Sequence, residues 1–294
     1  MSNFIDKRWK DIAKSHTAFC ILGGPSSNQV KNINEVIKNN FTITVNHNIK
    51  RFPNSSLYIT ADNFIAREYF EENEFFVHQF EGGKLLQNQS NFKYNPDPIW
   101  IEGKRNILLQ NPDLIKVIAC GDFPCYNSTF TTGQVYKYKG VEYCKQVPNT
   151  HLCIEYRNEH GESYPTLSPS IPKTLENYGT DPSNLYPGGN VASILFQILW
   201  YMGFEKVIIV GYGDKGKSEG YESTEYKNDS QNFVWSDSEI HSLVAHYEVW
   251  KDKIKILHGG ELCKEYAPFL DASYNDLETT PIKKMELISK LLKL

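Results

Sequence analysis

The residues that could do chemistry in this chain stand where apolar runs stop. Gly23, Gly24, Pro25, Ser26 and Ser27 follow the run at residues 17–22. Glycines let backbone approach a ligand, and a helix start offers free N–H groups and a positive dipole end, so a phosphate or diphosphate fits such a turn. The plain alternative is an ordinary βα turn with a serine cap. Asn46, His47 and Asn48 follow the run at 41–45, and Asp62 and Asn63 follow the run at 57–60. Asparagine both donates and accepts, which suits base, ribose or sugar hydroxyls. The competing reading is Asx-turn chemistry, in which these side chains stabilise their own loops.

A second group lies far down the chain. Gly188, Gly189 and Asn190 open an apolar helix at 191–202, Gly203 ends it, and a buried strand at 207–210 breaks at Gly211, Gly213 and Asp214. Residues 211–218 (GYGDKGKS) match the phosphate-loop pattern G-x-x-x-x-G-K-S. That pattern needs a helix directly after Ser218, whereas the continuation EGYESTEYKNDS has no apolar face, so the match reads as a decoy. His241 and His246 flank the apolar side of a later helix. Five apart, they cannot share one face as an i,i+4 metal pair. A histidine near a helix start could be a general base for a hydroxyl, and the alternative is a surface histidine without a role.

The elements that must position these groups alternate. Short apolar runs at 17–22, 41–45, 57–60, 75–80 and 114–119 read as strands, and Val30, Ile33, Val36 and Ile37 keep helical spacing after a cap at Ser26 or Ser27. Residues 207–210 and 253–257 add strands, Ser236 and Glu239 form a capping box, and a final amphipathic helix starts near Ile282. Polar groups at neighbouring strand ends converge on one crevice in an open α/β sheet. From 123 to 185 the pattern changes to Tyr, Thr, Pro, Gly and Asn, with β-like pieces at 135–138, 141–144 and 152–156 and a hairpin turn at 158–161. So long a loop without structure is improbable, which suggests an inserted subdomain or lid.

Composition bounds the rest. With 294 residues, 40% hydrophobic, the chain can build one large core, and a net charge of −4 disfavours duplex nucleic acid as a bulk electrostatic partner. Six cysteines occur without a C-x-x-C spacing, which reads as reduced thiols; Cys144, His151 and Cys153 do not complete a zinc site. The N-terminus lacks a signal-peptide core, and the longest apolar run, 191–202, is too short to span a membrane. A cytoplasmic protein is expected, and a homo-oligomer is compatible with the sequence. D-x-D and H-E-x-x-H are absent.

Taken in order, GGPSS, N-H-N, GG-N-x-A-S and GFEKVIIVGYGD resemble the bacterial sialyltransferase and motility-accessory-factor (Maf-type) glycosyltransferase group, which carries a G-x-G-P-S nucleotide loop. The resemblance covers about residues 17–65 and 186–260. It implies nucleotide phosphates at Gly24, Pro25 and Ser26, with Gly23 opening the loop, and Asn46 on the nucleotide or donor sugar. Gly188, Gly189 and Asn190 become the second ligand loop. Asp214 matches the strand-end acid, one residue further on, and His241 is the best positional match for the base. Gly23 replaces the group's usual start, and GGN stands where the group has Thr-Ser-Gly. The implied activity is metal-independent transfer of a sugar from a nucleotide-sugar donor to a glycan or other hydroxyl acceptor, without a cofactor, the insert selecting the acceptor. The G-P-S loop is also similar to that of archaeal-type 6-hydroxymethyl-dihydropterin pyrophosphokinases. That likeness implies ATP, magnesium, and carboxylates such as Asp62 and Asp214 at the triphosphate. A non-catalytic nucleotide- or glycan-binding protein is the third reading.

The expected architecture is therefore α/β: a Rossmann-like, GT-A-like variant with a mostly parallel sheet, helices on both faces and an inserted β-rich lid. Residues 1–122 and 186–294 make the nucleotide-binding domain, and 123–185 the insert. Asn48, Asp62 and Asn63 join Asn46 as candidate donor contacts.

Overall fold

The computed structural model describes residues 5–24, 27, 30, 33–60, 63–81, 93–118, 124–125, 136–137, 140–153, 185, 191–211, 250, 252–258 and 281–293. Seven strands form one parallel sheet: β1 (Thr17–Ile21), β2 (Phe41–Val45), β3 (Leu57–Thr60), β6 (Ile115–Ile118), β9 (Thr150–Leu152), β10 (Lys206–Val210) and β11 (Lys255–His258), in the order β11-β10-β1-β2-β3-β6-β9. Every neighbouring pair is parallel. Two hairpins stand apart from it: β4 (Phe75–Glu81) with β5 (Lys93–Ile101), and β7 (Pro124–Cys125) with β8 (Tyr136–Lys137). The α/β fold with a seven-stranded all-parallel sheet is consistent with a Rossmann-like fold.

Central parallel strands are covered on both faces and so read as continuous apolar or β-branched runs. β1 (TAFCI), β2 (FTITV) and β3 (LYIT) are buried at every position. The pleat divides their side chains between two cores. Ala18, Cys20, Ile43, Leu57, Ile59, Val117, Val207 and Ile209 face α5 (Val191–Met202). Phe19, Ile21, Ile208 and Val210 face the opposite way, against Val30 and Ile37, the latter on α1 (Ile33–Asn39). Tyr58, Ile118 and Leu152 share that second face with α2 (Asn63–Phe70), α3 (Arg105–Leu109) and α4 (Gly140–Gln146). Helices thus cover both faces.

α5 ends in a Schellman motif. Gly203, at φ +85°, donates to Trp200 O (2.9 Å) and Phe204 donates to Leu199 O (3.0 Å). A Cβ on Gly203 would lie 2.9 Å from the Asp11 Cα, because the N-terminal segment is laid across the helix end. Asp11 and Ala13 donate to Tyr201 O and Met202 O, and Ile5 donates to Leu152 O on edge strand β9. Trp9, fully buried, meets His151 edge to face at 4.8 Å. The last helix, α6 (Pro281–Leu292), turns Leu287, Ile288 and Leu291 inward and leaves Ile282 and Met285 exposed. Among the described residues no helix is long and apolar enough to cross a membrane.

Several expectations change. Residues 75–80 do form a strand, but in a hairpin outside the parallel sheet. Residues 141–144 are helical, within α4: Tyr143 stacks on Phe70 at 5.2 Å and its hydroxyl donates to Glu71, and this packing overrides the β preference of Val and Tyr. The strand expected at 152–156 meets the observed β9 only at Leu152: β9 is the edge strand of the main sheet, and residues 154–156 lie outside the described residues. The hairpin turn at 158–161, the capping box at Ser236 and the residues of 211–218 beyond Gly211 lie outside the described residues.

Candidate functional site

The strand order places β1 between β2 and β10, so the chain runs one way from β1 to β9 and then returns to the other side of β1. In open α/β sheets ligands bind outside the carboxyl ends of the strands at such a reversal. Here those ends are Leu22-Gly23-Gly24 and Gly211. The amide of Leu22 donates to Val210 O (2.8 Å) and that of Gly24 to Gly211 O (3.0 Å). Gly211 has φ +73°, and a Cβ on it would sit 2.3 Å from Leu22 O and 2.8 Å from Gly24 N. The two turns meet backbone to backbone, and only glycine fits at position 211. Gly23 is half-buried, and among the described residues its N–H has no partner. Among the described residues it is a free donor of this floor.

Of the two serines expected to cap the next helix, Ser26 lies outside the described residues and the Ser27 side chain bonds elsewhere. The Ser27 hydroxyl and amide both donate to Gly24 O, at 2.8 and 3.1 Å.

β2 ends beside this floor. Its register pairs Thr44 with Ile21, and Asn48 of the turn that follows reaches Ile21 O, so that turn lies beside the end of β1. Residues Asn46–Lys50 form a 3-10 turn. Three consecutive side chains tie it to three neighbours. Asn46, at φ +49°, accepts from the Thr60 hydroxyl of β3 (3.1 Å). Asn48 donates through Nδ2 to Ile21 O of β1 (3.4 Å). His47 turns to α2, its Nδ1 3.4 Å from the Tyr69 hydroxyl and 3.6 Å from Glu68 Oε2. Part of this tripeptide is thus spent on structure. What remains, among the described residues, is Asn46 Nδ2 and Asn48 Oδ1, one donor and one acceptor without a protein partner.

Behind the turn lies a buried charged group that the sequence reading did not single out. Glu68 is 3% exposed and Lys104 is 8% exposed, and Lys104 Nζ is paired with Glu68 Oε1. Lys104 N also donates to Glu68 O (2.8 Å), fixing the start of α3 on α2. Buried charges occur where they are paired. Glu68 Oε2 is buried without a hydrogen bond. A carboxylate between Ala66 and Tyr69, on the helix face that carries Ile65, is the signal that could have been read; its partner, 36 positions away, has none.

Of the residues expected at the site, Gly23, Gly24, Asn46 and Asn48 are brought together at the carboxyl edge of β1 and β2. Asn63 opens α2, and nothing further of it is described. Pro25, Ser26, Asp62, Gly188, Gly189, Asn190, Asp214 and His241 lie outside the described residues. The arrangement offers neutral donors and acceptors around close-packed backbone, suited to an oxygen-rich or anionic ligand. No protein-family model matches this chain, and neither a curated protein nor a solved structure is significantly similar to it.

Proposed function

We propose that the chain is a glycosyltransferase that moves a sugar, a sialic-acid-like one in the nearest resemblance, from a nucleotide-sugar donor to an acceptor hydroxyl without a metal. The observation that carries the reading is the meeting of Gly24 and Gly211 at the reversal of strand order, where backbone can approach a diphosphate closely. Gly23 and Gly24, with Pro25 and Ser26, would hold the phosphates. Asn46 and Asn48 would meet base, ribose or sugar. Gly188, Gly189 and Asn190 would close the second side, Asp214 would stand at the end of β10, and His241 would take the acceptor proton. In this reading the fold is a GT-A-like variant and residues 123–185 carry the acceptor lid.

The test is thermal stabilisation of the purified protein by CMP, UDP, GDP, ADP and ATP, each with and without magnesium. A ligand that binds the folded state raises its melting temperature. A magnesium-independent rise with CMP or UDP is expected. A rise only with ATP and magnesium sinks the proposal in favour of a pyrophosphokinase. No rise with any of them leaves a protein that does not bind free nucleotides and removes the support for transfer.

A further inference from the structure

The last helix carries two opposed stripes. Lys284, Leu287, Ile288 and Leu291 recur three and four apart and face inward, the three apolar ones in the main core. Lys284 is buried with them, and its Nζ donates to Ile37 O in the last turn of α1, which fixes the rotation of α6 about its own axis. The other stripe keeps the same spacing and is exposed at every position: Ile282, Met285, Glu286, Ser289, Lys290 and Lys293. Ile282 is 71% exposed and Met285 52%. Three positions apart on one helix, they make a single apolar patch rather than two scattered residues. The six residues of this stripe line an open groove of about 590 Å³, within the size range of ligand sites.

We propose that this face of α6 docks on an anionic lipid bilayer, its aliphatic side chains entering the acyl boundary and its lysines meeting headgroup phosphates. Charge carries the choice of partner. The exposed side of the helix has three lysines, Lys283, Lys290 and Lys293, against Glu286 alone, on a chain whose net charge is −4. A negative surface is therefore drawn to this face while the chain as a whole repels it, which orients the contact. Residue types favour lipid over protein. The face has no Trp, Tyr or Arg, the usual anchors of protein interfaces. Lysine stems beside Ile282 and Met285 let those side chains sink while each ammonium stays at headgroup level. At 12 residues α6 lies along such a surface and does not cross it. The inference goes beyond the transfer reading and does not depend on it.

The experiment is flotation of the full chain with vesicles of equal parts phosphatidylglycerol and phosphatidylcholine, against vesicles of phosphatidylcholine alone. Flotation with the anionic vesicles at low salt is expected, with most of it lost at about 0.5 M salt and little seen on phosphatidylcholine. Lys290→Gln with Lys293→Gln should weaken binding roughly 25-fold, about fivefold for each lysine. Ile282→Ser with Met285→Ser should weaken it about tenfold or more. Because both positions are exposed, that second variant should melt within about 4 °C of the wild type. A larger fall shows that the chain itself covers the face and overturns the proposal. So does a wild type that stays unbound, that floats equally with both vesicles, or that is matched by either double variant. A wild type that ignores vesicles but is retained by immobilised polyglutamate, and is released by the two lysine substitutions, replaces lipid with an acidic protein partner.

Discussion

Gly24 and Gly211, on turns that leave neighbouring strands, are joined by a 3.0 Å hydrogen bond from the amide of the first to the carbonyl of the second. The bond fixes the spacing of the two turns and explains why position 211 takes no side chain. Gly211→Ala should lose about 3 kcal/mol of stability, since it combines a left-handed φ with a Cβ driven into Leu22 O. Urea unfolding followed by tryptophan fluorescence measures it. A loss below about 0.5 kcal/mol would mean that the turns are not packed in this way.

Removing one partner of a buried ion pair is far worse than removing both. Lys104→Met should cost about 3 kcal/mol by leaving the Glu68 carboxylate buried without its cation. Lys104→Met with Glu68→Gln should recover much of that loss. Equilibrium unfolding of the two singles and the double closes a mutant cycle, and additive losses would rule out the pairing.

His151 gives a pH signature on the opposite side of the sheet from His47. Burial holds its imidazole down to about 4, with Asp6 pulling the other way and Lys116 adding to the effect. The folded state therefore resists a proton that the unfolded chain accepts near 6.5. Stability is intact above about pH 6.5 and is lost as the pH falls toward 4, by about 2 kcal/mol after allowance for partial exposure. His151→Gln should flatten the melting temperature across that window, and an unchanged acid slope would show that other groups set it.

Asn46 combines a left-handed backbone with a candidate ligand contact, and two substitutions separate them. Asn46→Gly keeps the backbone and should lose about 1 kcal/mol with the hydrogen bond from Thr60, while Asn46→Ala should cost about 1 kcal/mol more from strain. Both should weaken CMP binding alike, because both lose Nδ2. Equal binding to wild type in Asn46→Gly, read by calorimetry, would remove the side chain from the site.

Much of the sheet is legible from runs of residues that must be buried on both faces. FTITV and LYIT are β2 and β3 to the residue, and VASILFQILWYM is α5. β9 is three residues long, too short to show a period. β5 (KYNPDPIWI) contains two prolines, which argue against a strand unless it lies at an edge, and in a two-stranded hairpin both strands are edges. At the site, the glycines and the two asparagines follow from their positions at strand ends. Glu68 with Lys104 does not, because a pair 36 positions apart leaves no mark on local pattern.

The place of β1 also sets a clock. It is the strand on which both halves of the sheet are built, yet β10 follows it by some 185 residues. At about 5–20 residues per second of synthesis, the free side of β1 waits on the order of ten to forty seconds for its second neighbour. Through that interval an apolar strand with an unpaired rim is on offer to any other strand. Yield in a living cell should therefore track how well nascent chains are shielded, even for variants whose finished form is as stable as the wild type.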